Sequence, residues 1–478
     1  LMTQSIVIQV GQCGNQIGCR FWDLCLREHA CYSRNGIYDD AIGSFFRNTD
    51  SRSVDAFDVP RGVNKIQNLK ARAILVDMEE GVVNELVQGY IGDIFDHKQL
   101  ITDVSGSGNN WAVGNKVYGS RYREDITEQV RKAVEACDCL QCFFILHSMG
   151  GGTGSGLGTA ILSILEDSFP EVHRFVTAVY PSKDDDVITS PYNSVLAMKE
   201  LTDKADCVMP INNESLMNIC NKIQHTLPRK EKIQSVSKIT SGVGSLGGTK
   251  NNEKPFDHMN NIVANMLLNM TSHCRFDGAL NVDLNEIAMN LVPFPRLHYL
   301  VPSVAPLSIS KDIGLQPRRL DQAFDDLFTP DHQLVSADPR NSLYLACALM
   351  ARGKDVSMSD LRRNISRIAP NLNFVNWNKE GWKTGLCDLP PVGLPYSLLS
   401  LANNTCVGQT FSNLRLRFKK LYSRKAHLHH YEVVDDFERS CFEESLNSVT
   451  DLVKEYEEIE SESKTAKILC LSNNLIYF

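Results

Sequence analysis

The chain has 478 residues, too many for one compact core, so two or three domains are expected. Apolar residues make up 43% and charged residues 22%, the balance of a globular protein, and the net charge of −8 gives no global basic field for nucleic acid or anionic lipid. Fifteen cysteines are too sparse over this length for a disulfide scaffold, and no run of about 18 apolar residues offers a transmembrane helix.

The start, Met2-Thr3-Gln4-Ser5-Ile6-Val7-Ile8, has neither a basic region nor a long apolar stretch, so no signal peptide is expected. The sequons at Asn213, Asn269, Asn364 and Asn403 then carry no glycosylation meaning, and the expected setting is the reducing cytosol. Ser5 to Val10 reads as a short strand stopping at Gly11, and Ile17, Phe21 and Leu24 follow at helical spacing. The stretch from Asn48 to Asn68 reads as a loop. Ala73 to Val76 is a second buried strand, ending at Asp77; Cys142 to Leu146 is a third, and Arg174 to Tyr180 a fourth, closed by Pro181. Alternation of strands and helical patterns predicts a parallel sheet, whose polar loops fall along one edge, where ligands bind. The polar stretch from Gln224 to Asn252 reads as a long exposed loop. The chain is helical from Pro255, then mixed, and helical again from Asn404.

Gly150-Gly151-Gly152-Thr153-Gly154-Ser155-Gly156 lies between a buried strand and an apolar helix through Ala160, Ile161, Ile164 and Leu165. Glycines let a backbone approach phosphate oxygens and turn its N–H groups inward, and the following helix adds its positive end. No lysine follows, so this is not a Walker A loop. Nor does Gly11-Gln12-Cys13-Gly14 supply the GxGxxG of a dinucleotide-binding oxidoreductase.

Gly11-Gln12-Cys13-Gly14-Asn15-Gln16-Ile17-Gly18 and the run from Gly150 together resemble the two signature loops of the tubulin family. In the family's order follow Ile74 to Glu79, Gly106 to Ala112, Pro191-Tyr192-Asn193, Val292 to His298, Phe374-Val375-Asn376-Trp377 and Arg424-Lys425-Ala426. The resemblance implies an α/β fold: a Rossmann-like GTPase domain with a parallel sheet over 2–212, a second α/β region over 213–400 with an insertion at about 224–252, and a C-terminal helical region over 401–478. It implies GTP and Mg2+ as cofactors. Gln12, Ser148, Gly151, Gly152, Thr153 and Gly154, helped by Asn109, would hold the phosphates, with Cys13 and Gln16 in the first loop. Asp77 and Glu79 would lie near the metal. Asn15, Asn213 and Asn260 would bond the guanine edge under a stacked Phe256, and Asp186 would meet the ribose. Ser190 stands where the family usually has a carboxylate.

Gly278 to Glu286 resembles the segment with which an alpha-type subunit completes a neighbour's nucleotide site, making Glu286 the candidate catalytic acid, acting on the adjacent subunit's GTP. Asp283 followed by Glu286 also matches a capping box, and the two readings can coexist. Cys137, Cys139 and Cys142 have zinc-like spacing, but no second pair accompanies them and core cysteines are expected. His427, His429 and His430 read as surface and interface histidines, and the basic cluster from Arg415 to Lys425 as a solvated helix face.

The stretch Pro306 to Pro317 is short for the family's main lateral-contact loop, the insertion at 224–252 is absent from alpha and beta chains, and Ile468 to Phe478 is apolar where those chains have acidic tails. Val113-Gly114, Lys254-Pro255-Phe256 and Glu286 resemble a divergent, centriole-associated branch of the family. The resemblance implies a role in centrioles and basal bodies and their compound microtubules. The implied partners are other tubulins, including delta-tubulin and alpha/beta-tubulin, and not nucleic acid or membrane. Hydrolysis only in assembly is one expectation; a GTP-binding component that never turns nucleotide over, or caps an end, is the other.

Overall fold

The computed structural model describes residues 3–32, 40–49, 68–182, 185–226, 256–276, 278–310, 313–314 and 319–475. Most of the expected loops at 48–68 and 224–252, and much of 306–317, lie outside the described residues.

Six parallel strands form the first sheet: β1 (Gln4–Val10), β4 (Ala73–Asp77), β5 (Leu100–Thr102), β6 (Leu140–Ser148), β7 (His173–Tyr180) and β8 (Cys207–Asn212). Their order is β5-β4-β1-β6-β7-β8. A two-stranded ribbon of β2 (Phe46–Asn48) and β3 (Leu69–Ala71) lies in the first crossover. The four expected strands fall inside β1, β4, β6 and β7. Each is buried on both faces, as a covered parallel sheet requires. Alternation divides them: Ile6, Ile8, Val10, Phe143 and Ile145 enter one core, Val7, Cys142, Phe144 and Leu146 the other.

Helices cover both faces. α1 (Gly11–Tyr32) follows β1 and α2 (Glu80–Gln88) follows β4. On the other face lie α3 (Arg123–Glu135), α4 (Gly158–Ser168) and α5 (Ser190–Lys204). α6 (Asn213–Thr226) leads to α7 (Asp257–Met270), which packs on α1 and is buried nearly all round, the mark of a central helix.

α8 (Leu284–Leu291) introduces the second sheet, built from β9 (Leu300–Ala305), β10 (Tyr344–Arg352), β11 (Trp382–Cys387) and β12 (Ser397–Asn404) in the order β11-β10-β12-β9. α9 (Leu320–Leu327) and α10 (Met358–Ile368) flank it. The C-terminal part is helical, as expected: α11 (Val407–Tyr422) and α12 (Ser440–Leu475). Phe442, Val449, Leu452, Val453 and Tyr456 recur at helical spacing along α12 and close the core over α5 and α11.

A buried ion triad joins the layers. Glu28 of α1 forms an ion pair with Arg275 Nη1 at 2.6 Å and accepts from Arg352 Nη1, from β10, at 3.0 Å, with all three side chains at most 2% exposed. Burial alone would raise the Glu28 carboxyl, but Arg352 and Arg275 outweigh it and hold the group below the usual range.

Candidate functional site

The chain order of the first sheet reverses between β1 and β6: one run of strands proceeds outward through β4 to β5, the other through β7 to β8. Loops after two strands that part in this way leave a crevice at the carboxyl edge. A cavity of about 350 Å³ occupies this place, within the usual range for small-ligand pockets. Its walls are the loops after β1, β4, β6 and β7, the segment 107–109, and the starts of α6 and α7.

At one end the wall is backbone. Gly11 ends β1 with φ +71°, a conformation that favours glycine. Ser148 and Gly150 to Gly154 form the next strip, with Gln12 and Asn109 beside it. From Thr153 to Leu157 the chain winds as a wide π-type turn before α4, a feature that recurs at functional sites. Ser107 and Thr153 join through their hydroxyls at 2.9 Å. A Cβ on Gly152 would lie 2.5 Å from both Asn110 N and Ser107 Oγ, so only glycine fits there.

A buried amide holds these loops together. Asn193 Nδ2 donates to Asn109 O and Gly150 O, each at 2.8 Å, while its Oδ1 accepts from Trp111 N at 2.9 Å and Tyr431 OH at 2.6 Å. The sequence marks Pro191-Tyr192-Asn193 only as a loop end. Its role as a hub depends on contacts 43 to 238 residues away, which local patterning does not reveal.

Asp77 and Glu79 line the same end. Asp77 Oδ1 accepts from Glu79 N at 3.4 Å, while Oδ2 is buried without a protein partner. Burial, with the neighbouring Glu79 carboxylate, pushes the Asp77 carboxyl up to about 6. An orphaned buried carboxylate beside a second one is a donor set that fits a hard divalent cation such as magnesium.

The far end is an apolar slot with amide edges. Ile17, Leu216, Met259 and Val263 form its walls; Cys13, Gln16, Asn213 and Asn260 also line it, and Phe256 stands at the mouth, 52% exposed. Burial pushes the Cys13 thiol up to about 12, so it is a neutral wall group. Paired donor and acceptor groups on asparagines suit a purine edge.

Two expected residues stand elsewhere. Asn15 lies behind the wall: its Nδ2 donates to Gly11 O at 3.0 Å within the first turn of α1 and to Val76 O at 3.2 Å, tying α1 to the end of β4. Asp186 is exposed and off the cavity wall, whereas Asp185 lines it.

Glu286 is not in the cavity. It lies on α8, whose N-cap Asp283 accepts from Leu284 N at 2.9 Å and also bonds Gln141. The capping box is incomplete, because the Glu286 carboxylate turns to Lys383 Nζ of β11 at 2.6 Å, a partly exposed ion pair. Gln141 opens β6 and Ser148 ends it at the cavity, and seven residues of strand span about 23 Å. Glu286 and the cavity therefore stand at opposite ends of one strand.

Residues 4–221 match the Tubulin/FtsZ family, GTPase domain, and residues 295–415 match the Tubulin C-terminal domain. The chain is 63% identical over 464 residues to the Tubulin epsilon chain of Mus musculus and 62% identical to that of Homo sapiens, each alignment covering 96% of this chain and 97% of the relative. It is 33% identical to the Tubulin beta chain of Pyropia yezoensis over 96% of this chain and 93% of that one. Val113-Gly114, Lys254-Pro255-Phe256 and the alpha-like Glu286, which together resemble epsilon-tubulin, agree with this gradient. With a cavity at the switch point of a parallel sheet and both halves matched, the chain belongs to the tubulin family, as a divergent member.

Proposed function

We propose that this chain binds GTP with magnesium in the cavity at the carboxyl edge of its first sheet and assembles head to tail with other tubulins. In such an assembly Glu286 completes the nucleotide site of the adjacent subunit. The observation that carries the reading is the separation along β6: a binding half at one end and, about 23 Å along the strand at the other, the Asp283 cap of the helix that bears the ion-paired Glu286. One chain cannot bring the two together, but a heterologous contact between successive chains can.

Backbone N–H groups from Gly151 to Gly154, with Ser148, Gln12 and Asn109, hold the phosphates, and Asp77 and Glu79 hold the cation, which when bound neutralises charge on the terminal phosphates. Asn213 and Asn260 read the base edge and Phe256 covers its face. Glu286 orients the attacking water on the neighbour's terminal phosphate. The domain division at 212 and 400, a place in centrioles or basal bodies and their compound microtubules, and delta-tubulin or alpha/beta-tubulin as partners belong to the same reading, supported by the resemblance to epsilon chains.

The ion pair of Glu286 with Lys383 favours a second reading, a GTP-binding structural or end-capping subunit that never hydrolyses, because a carboxylate held by a lysine is not free to orient a water. Glu286→Gln decides between them. Under assembling conditions with radiolabelled GTP, loss of phosphate release with unchanged GTP binding supports hydrolysis; equal release by both proteins sinks it.

A further inference from the structure

Only two serines of the chain have basic residues four and three positions before them and one position after: Ser366, with Arg362, Arg363 and Arg367, and Ser423, with Lys419, Lys420 and Arg424. Cations so placed around an exposed hydroxyl are what a basophilic protein kinase binds, and by sequence the two motifs are twins. The fold separates them. Ser366 lies within α10, and two of its three cations are committed to α9: Arg363 pairs with Asp321 at 2.7 Å and Arg367 with Asp325 at 2.8 Å. Arg367 also donates to Asp321 O and to Asn364 Oδ1. Ser423 stands just past the last residue of α11, in a turn that runs to Leu428 with Lys425 and His427 in the left-handed region, at φ +51° and +59°. It is exposed, and its hydroxyl donates to Lys420 O at a long 3.3 Å. Lys419, Lys420, Arg424 and Lys425 are all exposed, and among the described residues none of them forms an ion pair.

A helix C-terminus attracts cations, but its dipole amounts to about half an elementary charge, too little to account for all four. In a chain of net charge −8 their charge is left unspent. We propose that Ser423 is a phosphorylation site for a protein kinase that reads the basic residues before it, and that the free cations of the turn clasp the phosphate once it is in place. In the transfer the Ser423 oxygen attacks the terminal phosphorus of ATP. The bond from that phosphorus to the bridging oxygen breaks, ADP leaves, and the hydroxyl proton passes to the kinase's base. The phosphate brings a charge of about −1.5 to −2 and three strong acceptor oxygens. Lys420, one helical turn back, and Arg424 and Lys425, next along the turn, supply the charge-assisted donors and outweigh the dipole that would otherwise repel it. At Ser366 the neighbouring arginines already balance Asp321 and Asp325, and a kinase would have to part those pairs before reading them.

The test is to incubate the folded full chain with ATP and the catalytic subunit of cyclic-AMP-dependent protein kinase, and to follow Ser423 and Ser366 separately by mass spectrometry. Peptides spanning 359–371 and 416–428 carry the two motifs without the fold and give the kinase's own preference between them. Relative to that preference the folded chain should favour Ser423 by about tenfold or more, the scale of two exposed ion pairs parted together with a helical turn opened. Ser423→Ala should abolish its signal, and Lys420→Gln should slow it. A folded chain that keeps the peptides' preference, or that takes no phosphate at Ser423, overturns the proposal. The clasp has its own readout in the 31P resonance of the phosphorylated protein. Cations around the phosphate should make it titrate below its ordinary value of about 6, and Arg424→Gln should return it towards that value. Titration at the ordinary value in the unaltered protein overturns the clasp. Site mapping on the unaltered protein needs no variant, so the choice between the two serines is decided even should a variant melt early.

Discussion

At the carboxyl end of the first sheet the groups proposed to hold phosphate are backbone N–H groups, and their neighbours fix them: glycines are set against Asn110 and Ser107, and Asn193 clasps two loops. At the other end the candidate acid sits on a short helix, its carboxylate half exposed and paired with one flexible lysine. The first end is preorganised, so its ligand meets groups that need little rearrangement. In the reading proposed above, the second end is set only when a neighbour arrives, so that the protein holds nucleotide alone and acts on it in company.

The largest effect that would break the comparison lies between the two ends. Glu28 links α1, which begins at the cavity, to β10, the strand beside that of Lys383. Glu28→Ala leaves Arg275 and Arg352 buried without their carboxylate, and breaking such a pair costs about 3–5 kcal/mol. The expected result is a denaturation midpoint lowered by that amount; a loss below about 1 kcal/mol would mean that the arginines find other acceptors and the ends are not tied through this joint.

Acid should loosen the cavity end next. Burial lowers His147, on β6, to about 4. The folded protein keeps it neutral while the unfolded chain takes a proton from about 6.5 downward, so its contribution is complete above 6.5 and is lost as the pH falls towards 4. The loss reaches about 3 kcal/mol, from the difference between those two values. Asp77 has the opposite sign: raised to about 6, it favours the folded state in acid, and that contribution is lost as the pH rises through 6. His147→Gln should therefore flatten the fall in stability between pH 6.5 and 4. Parallel curves for variant and parent would show that the histidine is not kept neutral.

Gly152→Ala sharpens the contrast at the phosphate strip itself. The added methyl meets Asn110 N and Ser107 Oγ, and overpacking of this kind costs about 1–3 kcal/mol. If the strain falls on the loop, GTP affinity drops about 5- to 150-fold by titration, with global stability nearly kept. An unchanged affinity would mean that the strip has slack and is not preorganised.

Much of this was legible because strand and loop chemistry are local. A buried run ending at Gly11 and another ending at the glycines from Gly150 announce a parallel sheet with its ligand edge, and both loops line the cavity. β8 carries Pro210, a residue that argues against an interior strand. The structure explains why a proline is accommodated: Val208 N bonds His298 O and Asn212 N bonds Leu334 O, so the alternate position between them faces away from β7 and needs no donor there. Asn15 looks like a ligand residue by its place in a signature loop, yet it lies off the cavity wall with its Nδ2 used on two backbone carbonyls and its Oδ1 buried without a partner. Asp185 and Asp186 are indistinguishable in a run of acids, and only the turn of the loop decides which one faces the cavity. The partner of Glu286 comes from a strand 97 residues on, beyond the reach of any helix pattern.

The smallest effect belongs to that partner. Exposed lysine–carboxylate pairs are worth about 0–1 kcal/mol, since solvent screens both charges and two long side chains are restrained to meet. Lys383→Gln should leave stability within about 1 kcal/mol and GTP affinity unchanged, and a double-mutant cycle with Glu286→Gln should return a coupling of the same size. A coupling so weak lets an approaching subunit part the pair and turn the carboxylate to the incoming nucleotide with little loss. A coupling of about 3 kcal/mol or more, the scale of a desolvated pair, would mean that Glu286 is locked before any neighbour arrives. The outward end would then be as fixed as the cavity end, and the subunit that holds GTP without hydrolysing it would be the better account.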